Sequence, residues 1–240
     1  MLRYLFNLQI DARLMNVPSF LRFIPQFPLL ASLTPAERSQ LDAVARWRSV
    51  RKNTLIYLAD DPAEHLFFLV KGAVKTGIIL SDGRAMVRGI ALPGTMFGES
   101  CLIGEYRRRE FARTLNQSVD YFSIHISDFQ AIMRQNFGLT NAILHFFGER
   151  LRRAERQQHA LVNKDVRARI VDFIKENAAT RHPQAGYERL ALHGLTQADI
   201  ANLVGASRQT VTAVLNELRK TNVIAFSRHD ISIQDRDKLN

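Results

Sequence analysis

Cysteine and tryptophan are scarce in this chain of 240 residues, which has one of each. The lone Cys101 excludes a disulfide within the chain and any metal site built from several cysteines, iron–sulfur clusters included. Long apolar runs are also missing. None approaches the roughly 18 residues that a membrane helix needs, and residues 1–15 are too polar for a signal peptide. We therefore expect a soluble, cytoplasmic protein that does not contact a membrane.

Histidine is present, but without the spacing of a metal site. We interpret the seven as structural: His65, His125, His145, His159, His182, His193 and His229. An enzyme that pairs Cys101 with a histidine as nucleophile and base would need a third, orienting residue, and no such arrangement is recognisable. We therefore predict no catalytic residues and no metal.

The formal net charge of +10 suits a polyanionic partner. Its distribution weakens that argument, because residues 164–240 hold only 12 basic against 9 acidic side chains. Most of the excess thus lies in the first two thirds of the chain. A case for nucleic-acid binding has to come from a motif instead.

Residues 196–218 supply such a motif, TQADIANLVGASRQTVTAVLNEL. Thr196 can cap a helix with Asp199 three residues on, Gly205 can end that helix in a sharp turn, and Ser207 can cap a second helix. The apolar residues of the second helix recur at helical spacing: Val211, Val214, Leu215 and Leu218. This pattern predicts a helix-turn-helix, whose second helix can enter the DNA major groove. The alternative is a helical hairpin whose polar face only meets water.

The outward residues fit base reading. Arg208 can bond guanine with two hydrogen bonds, Gln209 can bond adenine, and Ala213 can contact a thymine methyl group. We expect DNA contacts from eight residues: Thr196, Gln197, Ser207, Arg208, Gln209, Thr212, Ala213 and Asn216.

The rest of the chain predicts an α+β protein. Residues 1–22 are weakly patterned and are interpreted as an N-terminal extension. Pro35 begins a helix capped by Ser32 or Thr34. From Leu55 to about Phe129, short β-rich runs alternate with turn signals, as expected for an antiparallel roll or sandwich. We assign this roll to residues 23–137, a central helix to 138–163, and the domain that carries the helix-turn-helix (the reading domain), which ends in a hairpin wing, to 164–240.

The central helix carries an apolar stripe at spacings of three and four: Ile143, Phe147, Leu151, Ala154, Gln158 and Leu161. Charged flanks on such a stripe are typical of a helix that pairs with its twin across a dimer axis. Packing against its own domain is the alternative.

Together these pieces resemble the Crp/Fnr family of bacterial transcription regulators. The resemblance covers roughly residues 25–240. It rests on the segment LFFLVKGAVK, on PGTMFGE from Pro93 to Glu99, and on the Gly205, Ser207, Arg208 and Thr210–Val211 positions of the reader. It implies a cyclic-nucleotide-binding-like roll, a winged helix-turn-helix, a homodimer on a palindromic double-stranded operator, and RNA polymerase as a partner. Lys164 would be the hinge.

The resemblance also points to an effector pocket. Gly98 and Glu99 match the pair that holds ribose in cyclic-AMP-binding members, and an ungapped count places Arg109 at the phosphate-binding arginine. Glu110 then stands where those members carry Ser, and Ala154 and Glu155 replace the Thr-Ser pair that contacts adenine. The effector candidates are Gly98, Glu99, Ser100, Arg109, Glu110, Ala154 and Glu155.

These departures favour an effector other than cyclic AMP. A cyclic-AMP-dependent regulator with altered contacts and a ligand-independent factor are the alternatives. The carbon-monoxide sensor of the family binds haem through a Cys or His just after the Pro-Gly segment. Gly98, Glu99 and Ser100 stand there, so haem of that kind is not expected.

Cys101 lies in the same loop as the arginines and is a candidate redox sensor, the alternative being a small buried side chain. An interaction scaffold that contacts DNA only vestigially is a further alternative.

Overall fold

The computed structural model describes residues 18–115, 117–177, 188–189 (backbone only), 194–227 and 231–239. The predicted loop at 181–186, the bend of the wing at 228–230, and His182, His193 and His229 lie outside these ranges. Among the described helices, none combines the length and apolarity required to cross a bilayer. The described residues also contain no cluster of His, Cys, Asp and Glu suited to a metal.

The roll consists of two antiparallel four-stranded sheets with the orders β1-β8-β3-β6 and β2-β7-β4-β5. The strands are β1 Arg46–Val50, β2 Leu55–Tyr57, β3 His65–Lys71, β4 Val74–Ile79, β5 Ala85–Ala91, β6 Met96–Phe97, β7 Phe111–Thr114 and β8 Val119–His125. The predicted antiparallel roll is therefore confirmed. Strand β1 escaped prediction because its sequence, RWRSV, is polar at most positions and mostly exposed.

Strand β3 explains how the first sheet is covered on both faces. Leu66 and Phe68 belong to an apolar cluster shared with the helices, whereas Phe67 and Leu69 belong to a cluster inside the roll. Successive side chains of a strand point to opposite faces. A continuous apolar run is therefore needed where both faces are buried, and HLFFLV supplies it.

Each helix that flanks the roll begins directly after a residue whose side chain caps it. Helix α1 spans Pro35–Val44 and is capped by Thr34 in a full capping box with Glu37, as predicted. Helix α2 spans Ile126–Gln135, and α3 spans Phe137–Asn163, one residue earlier than the expected start. A 3-10 turn at Phe20–Arg22 precedes them. Phe20 is fully buried among the aromatic rings of the roll, so the roll begins before the boundary expected at residue 22.

The reading domain contains α4 Val166–Glu176, α5 Gln197–Val204 and α6 Arg208–Lys220, with a sheet of β9 Glu188–Arg189, β10 Ile224–Phe226 and β11 Ile231–Ile233. Strands β10 and β11 pair antiparallel, which confirms the hairpin wing. The apolar core of this domain extends into the roll, since Ala73 and Leu115 pack in the same cluster as Ile200 of α5. The two parts of the chain therefore share an apolar contact.

Candidate nucleic-acid interface and effector pocket

Helices α5 and α6 form the predicted helix-turn-helix. Asp199 donates its backbone N–H to Thr196 Oγ1 at 3.1 Å, and the Asp199 carboxylate accepts the Thr196 N–H at 3.0 Å. Gly205 ends α5 with φ +66°, a left-handed conformation that favours glycine. Ser207 then caps α6 by accepting the Thr210 N–H at 3.0 Å. Thr196, Gly205 and Ser207 therefore have the capping roles that the sequence predicted.

The outer face of α6 is accessible at its N-terminal end. Arg208, Gln209 and Ala213 are exposed, while Thr212 and Asn216 are half-buried. The four apolar residues predicted for the inner face are buried in the domain core. This division presents a polar surface at the end of the helix where the motif places its base contacts.

Two residues of the predicted DNA contact set bond each other. The Thr212 hydroxyl donates to Gln197 Oε1 at 2.6 Å, which joins the start of α5 to the middle of α6. The Thr196 hydroxyl lies 2.9 Å from Asp199 Oδ2, within the cap. These side chains therefore hold the two helices in place, and Arg208 and Gln209 are the more accessible candidates for base contacts.

The interior of the roll contains an arginine other than the expected one. Arg108 is 3% exposed, and it donates to Gly98 O at 2.6 Å and to His65 O at 2.5 Å. Its guanidinium lies 4.5 Å from the centroid of the Tyr57 ring and 5.5 Å from that of Phe67, both cation–π distances. Carbonyls and rings thus surround the cation.

Arg109, which the ungapped count placed at the phosphate position, points outward. Its side chain is 81% exposed and pairs with Glu105, with Arg109 Nε 2.8 Å from Glu105 Oε1. The structure therefore does not bring Arg109 into the pocket. Three consecutive arginines carry no periodic signal, so sequence reasoning had no means to choose Arg108.

Glu110 does face the interior of the roll. Its Oε1 lies 3.5 Å from the Tyr57 hydroxyl, and burial raises the pKa of its carboxyl group against the opposing effect of a hydrogen bond from Thr76. Burial, followed by the charge of Glu110, also raises the pKa of Tyr57. The interior of the roll thus contains an acidic group beside the Tyr57 ring.

Helix α3 contributes a cation that the sequence did not reveal. Arg150 forms an ion pair with Glu99, the buried first residue of the 3-10 helix Glu99–Ile103. The guanidinium also lies 5.9 Å from the centroid of the Phe146 ring on the preceding turn of α3. Ala154 and Glu155, the expected helix contacts, lie farther along α3 and are exposed. In the described chain, the helix residue that reaches Glu99 is Arg150.

Cys101 is buried and does not have the properties of a redox sensor. Its Sγ lies 3.4 Å from Gly98 O, and burial raises the pKa of the thiol. A reactive cysteine requires an accessible, low-pKa thiolate. The structure therefore favours the alternative of a small buried side chain. Ser100, next to it, is half-buried in the same 3-10 helix.

The apolar stripe of α3 is buried at its N-terminal end and exposed farther along the helix. Ile143 is 4% exposed and belongs to the core of the roll, and the half-buried Phe147 packs against the same core. These two predicted dimer contacts are therefore intramolecular. Farther along, Leu151 remains 62% exposed, and the preceding Leu144, which was not predicted, is 64% exposed. Ala154 and Gln158 are exposed as well.

Two family models match the chain in the order of its two parts. Residues 47–136 match a cyclic nucleotide-binding domain, and residues 168–240 match a Crp-like helix-turn-helix domain. Among the relatives, a CRP-like cAMP-activated global transcriptional regulator of Mycobacterium tuberculosis is 28% identical over 184 residues, covering 77% of this chain and 82% of that protein. A global nitrogen regulator of Synechococcus elongatus is 28% identical over 182 residues, covering 74% and 81%.

A solved structure agrees with these matches. FixK2 from Bradyrhizobium japonicum superposes with a TM-score of 0.70 at 27% identity, covering 82% of this chain and 96% of that one. With the roll, the long helix and the capped helix-turn-helix in the same order, the chain belongs to the Crp/Fnr family of DNA-binding transcription regulators.

Proposed function

We propose that this regulator acts as a homodimer on a palindromic operator and that its roll does not respond to cyclic AMP. The observation that carries the proposal is a pair of engaged arginines, Arg108 in the roll and Arg150 on α3. Arg108 is already bonded by two carbonyls, and Arg150 already neutralises Glu99. The groups that a cyclic nucleotide would use are thus engaged with one another.

Electrostatic repulsion is a second reason to expect that cyclic AMP does not bind. A cyclic phosphate carries a negative charge, and the half-buried Glu110 carboxylate, which faces the interior of the roll beside Tyr57, would repel it. To admit the ligand, the chain would have to break the Arg150–Glu99 pair and tolerate a second anion beside Glu110. Each change opposes binding. The roll then senses another molecule or none at all.

Similarity to the relatives does not point to one effector. The Mycobacterium tuberculosis protein is described as cAMP-activated, whereas the Synechococcus elongatus protein is described as a nitrogen regulator. Both are 28% identical to this chain. A cyclic-AMP-dependent regulator with altered contacts is the second candidate, because Gly98 and Glu99 are retained in the pocket.

The exposed part of α3 supports the homodimer. Leu144 and Leu151 lie seven residues apart, two turns along one side of the helix, and both are largely exposed. Pairing two such helices would bury them and would place two copies of α6 on adjacent half-sites. Any effector would act by reorienting the two reading domains about Lys164, and DNA-bound dimers would contact RNA polymerase.

The experiment is a measurement of operator affinity with and without cyclic AMP. The operator duplex is first selected from random DNA, and affinity is then measured at fixed salt. We expect cyclic AMP to change the dissociation constant of the wild type by less than about twofold. Tightening by about tenfold, equal to about 1.4 kcal/mol of coupling, would instead establish the cyclic-AMP-dependent alternative.

A variant can test the stated cause. The double variant R150M/E110S releases Glu99 from its partner and replaces the acidic side chain at position 110 with a hydroxyl. If the internal contacts exclude the nucleotide, calorimetry should detect cyclic AMP binding to this variant and not to the wild type. R152M is the matched control, since Arg152 pairs with the exposed Glu149 on the same helix. Binding by neither variant would mean that the pocket rejects cyclic AMP for another reason.

A further inference from the structure

Arg169 of α4 occupies the point where the long helix meets the reading domain. Its Nη1 donates to Lys164 O at 2.7 Å, at the C-terminal end of α3. Its Nε donates to Val204 O at 2.9 Å, at the end of α5, and its Nη2 donates to Gly205 O at 3.0 Å, in the turn that follows. One guanidinium therefore bonds three carbonyls from two separate segments.

The chemistry suits arginine in particular. The last carbonyls of a helix have no partner within the helix and carry the negative end of its dipole. A planar guanidinium offers several donors in a fixed fork, so it can satisfy the end of α5 and the end of α3 in one geometry. The ammonium of lysine, a compact point charge, cannot reproduce these fixed directions.

Apolar packing brings the same segments together. The side chain of Leu161, in the last turn of α3, lies against Gly205, where a Cβ would be only 2.5 Å from Leu161 Cδ2. The left-handed backbone of Gly205 favours glycine, and a Cβ there would force the Leu161 side chain to move. The turn that precedes α6 is in direct contact with the helix expected to form the dimer.

We propose that Arg169 is a positioning residue that sets the angle between α3 and α6, and through it the spacing of the half-sites that a dimer recognises. Arg169 is fixed within the reading domain by its bonds to Val204 O and Gly205 O, so turning that domain about Lys164 changes the distance from Arg169 to Lys164 O, and this bond selects one orientation. This inference rests on the proposed dimeric function. It adds a residue that contacts no base and yet governs operator choice.

The test compares three duplexes with identical half-sites and a spacer of selected length, one base pair shorter, or one base pair longer. One base pair moves a half-site by about 3.4 Å and rotates it by about 35°. For the wild type we expect affinity to fall about tenfold on either altered duplex. For R169M we expect the three affinities to lie within about threefold, and R169K should lie between these limits because it keeps only the charge.

R167M is the matched control. It removes the same charge from the same helix, and the Arg167 guanidinium pairs with Glu217 of α6. It should keep the wild-type spacing preference. Thermal unfolding establishes that each variant is folded, and R169K decides the question if R169M is not.

The outcomes separate the two proposals. If the wild type binds all three duplexes with equal affinity, the proposal that a dimer binds a palindromic operator is wrong. The inference about Arg169 then fails with it. A selective wild type with an equally selective R169M would overturn the role of Arg169 only. An equal loss by R169M on all three duplexes, with a weaker salt dependence, would assign Arg169 to a phosphate contact instead.

Discussion

Lys75 of β4 donates to Asp199 of α5 across a distance of 3.0 Å between Nζ and Oδ1, which joins the roll to the reading domain. The two side chains are 20% and 8% exposed. The other carboxylate oxygen of Asp199, Oδ2, accepts the Thr196 N–H in the cap of α5. One carboxylate therefore both accepts a hydrogen bond at the start of the first helix of the DNA-binding motif and holds that helix against the roll.

This double role predicts unequal effects of removing either partner. D199A removes the carboxylate half of the capping box and leaves Lys75 without its anion, so we expect the free energy of unfolding to fall by about 2 kcal/mol. K75M leaves the cap in place, and we expect a loss of about 1 kcal/mol or less. Urea denaturation of both variants and of the double variant gives the coupling between them. Strict additivity would show that the contact contributes nothing.

Phe20 predicts a large stability effect from a residue near the N-terminus. It is fully buried and packs against Phe27, Phe68 and Phe122, with ring centroids 4.5–5.7 Å away. We expect F20A to cost about 3–5 kcal/mol in the free energy of unfolding. L21A is the control, because Leu21 is 41% exposed and should cost about 0.5 kcal/mol. Equal effects would mean that the segment contributes little to the core.

Glu110 predicts a specific pH dependence of stability. Because burial raises the pKa of its carboxyl group above the ordinary 4.5, the folded chain holds this proton more tightly than the unfolded chain. Stability therefore falls as pH rises from the ordinary value to the raised one. In E110Q this contribution is absent, so the variant should gain stability relative to wild type as the pH rises from the ordinary pKa of 4.5 to the raised one.

Urea unfolding at several pH values measures that difference. E155Q serves as the control, since Glu155 is exposed on α3, and its difference from wild type should change little over the same interval. A constant difference for E110Q would show that the Glu110 carboxyl group does not titrate with a raised pKa.

Arg208 predicts a loss confined to one base position. If its guanidinium bonds guanine, R208A should weaken operator binding by about 1–3 kcal/mol and should relax the preference at that position. Competition among duplexes that differ by one base pair measures both effects. R219A is a useful comparison, because the Arg219 guanidinium lies over the Phe226 ring at the far end of α6. A uniform loss on every duplex would identify Arg208 as a phosphate contact.

The reading motif could be predicted from sequence because its signals are local. Thr196, Gly205 and Ser207 each act within three or four residues, and the structure places every one in its expected role. The roll was predictable for the same reason, since short β-rich runs and turn signals alternate. Lys75 and Asp199 are 124 residues apart in sequence, and no local pattern connects them.

Two further differences have physical causes of their own. An apolar stripe at helical spacing records that a face is buried, but not whether the same chain or a second copy buries it. Ile143 and Leu151 therefore looked equivalent, although the structure buries only the first. Arg108 and Arg109 differ only in their neighbours, since the carbonyls of His65 and Gly98 and the Tyr57 ring select Arg108.

The Arg150–Glu99 pair has a consequence for how the protein can be divided. A fragment that ends with α2 contains every strand of the roll but lacks the cation that neutralises the buried Glu99 carboxylate. A buried charge without its partner is strongly destabilising. A self-sufficient sensory fragment would therefore have to extend beyond residue 150, well into the long helix. The unit that folds independently is thus larger than the unit suggested by the strands.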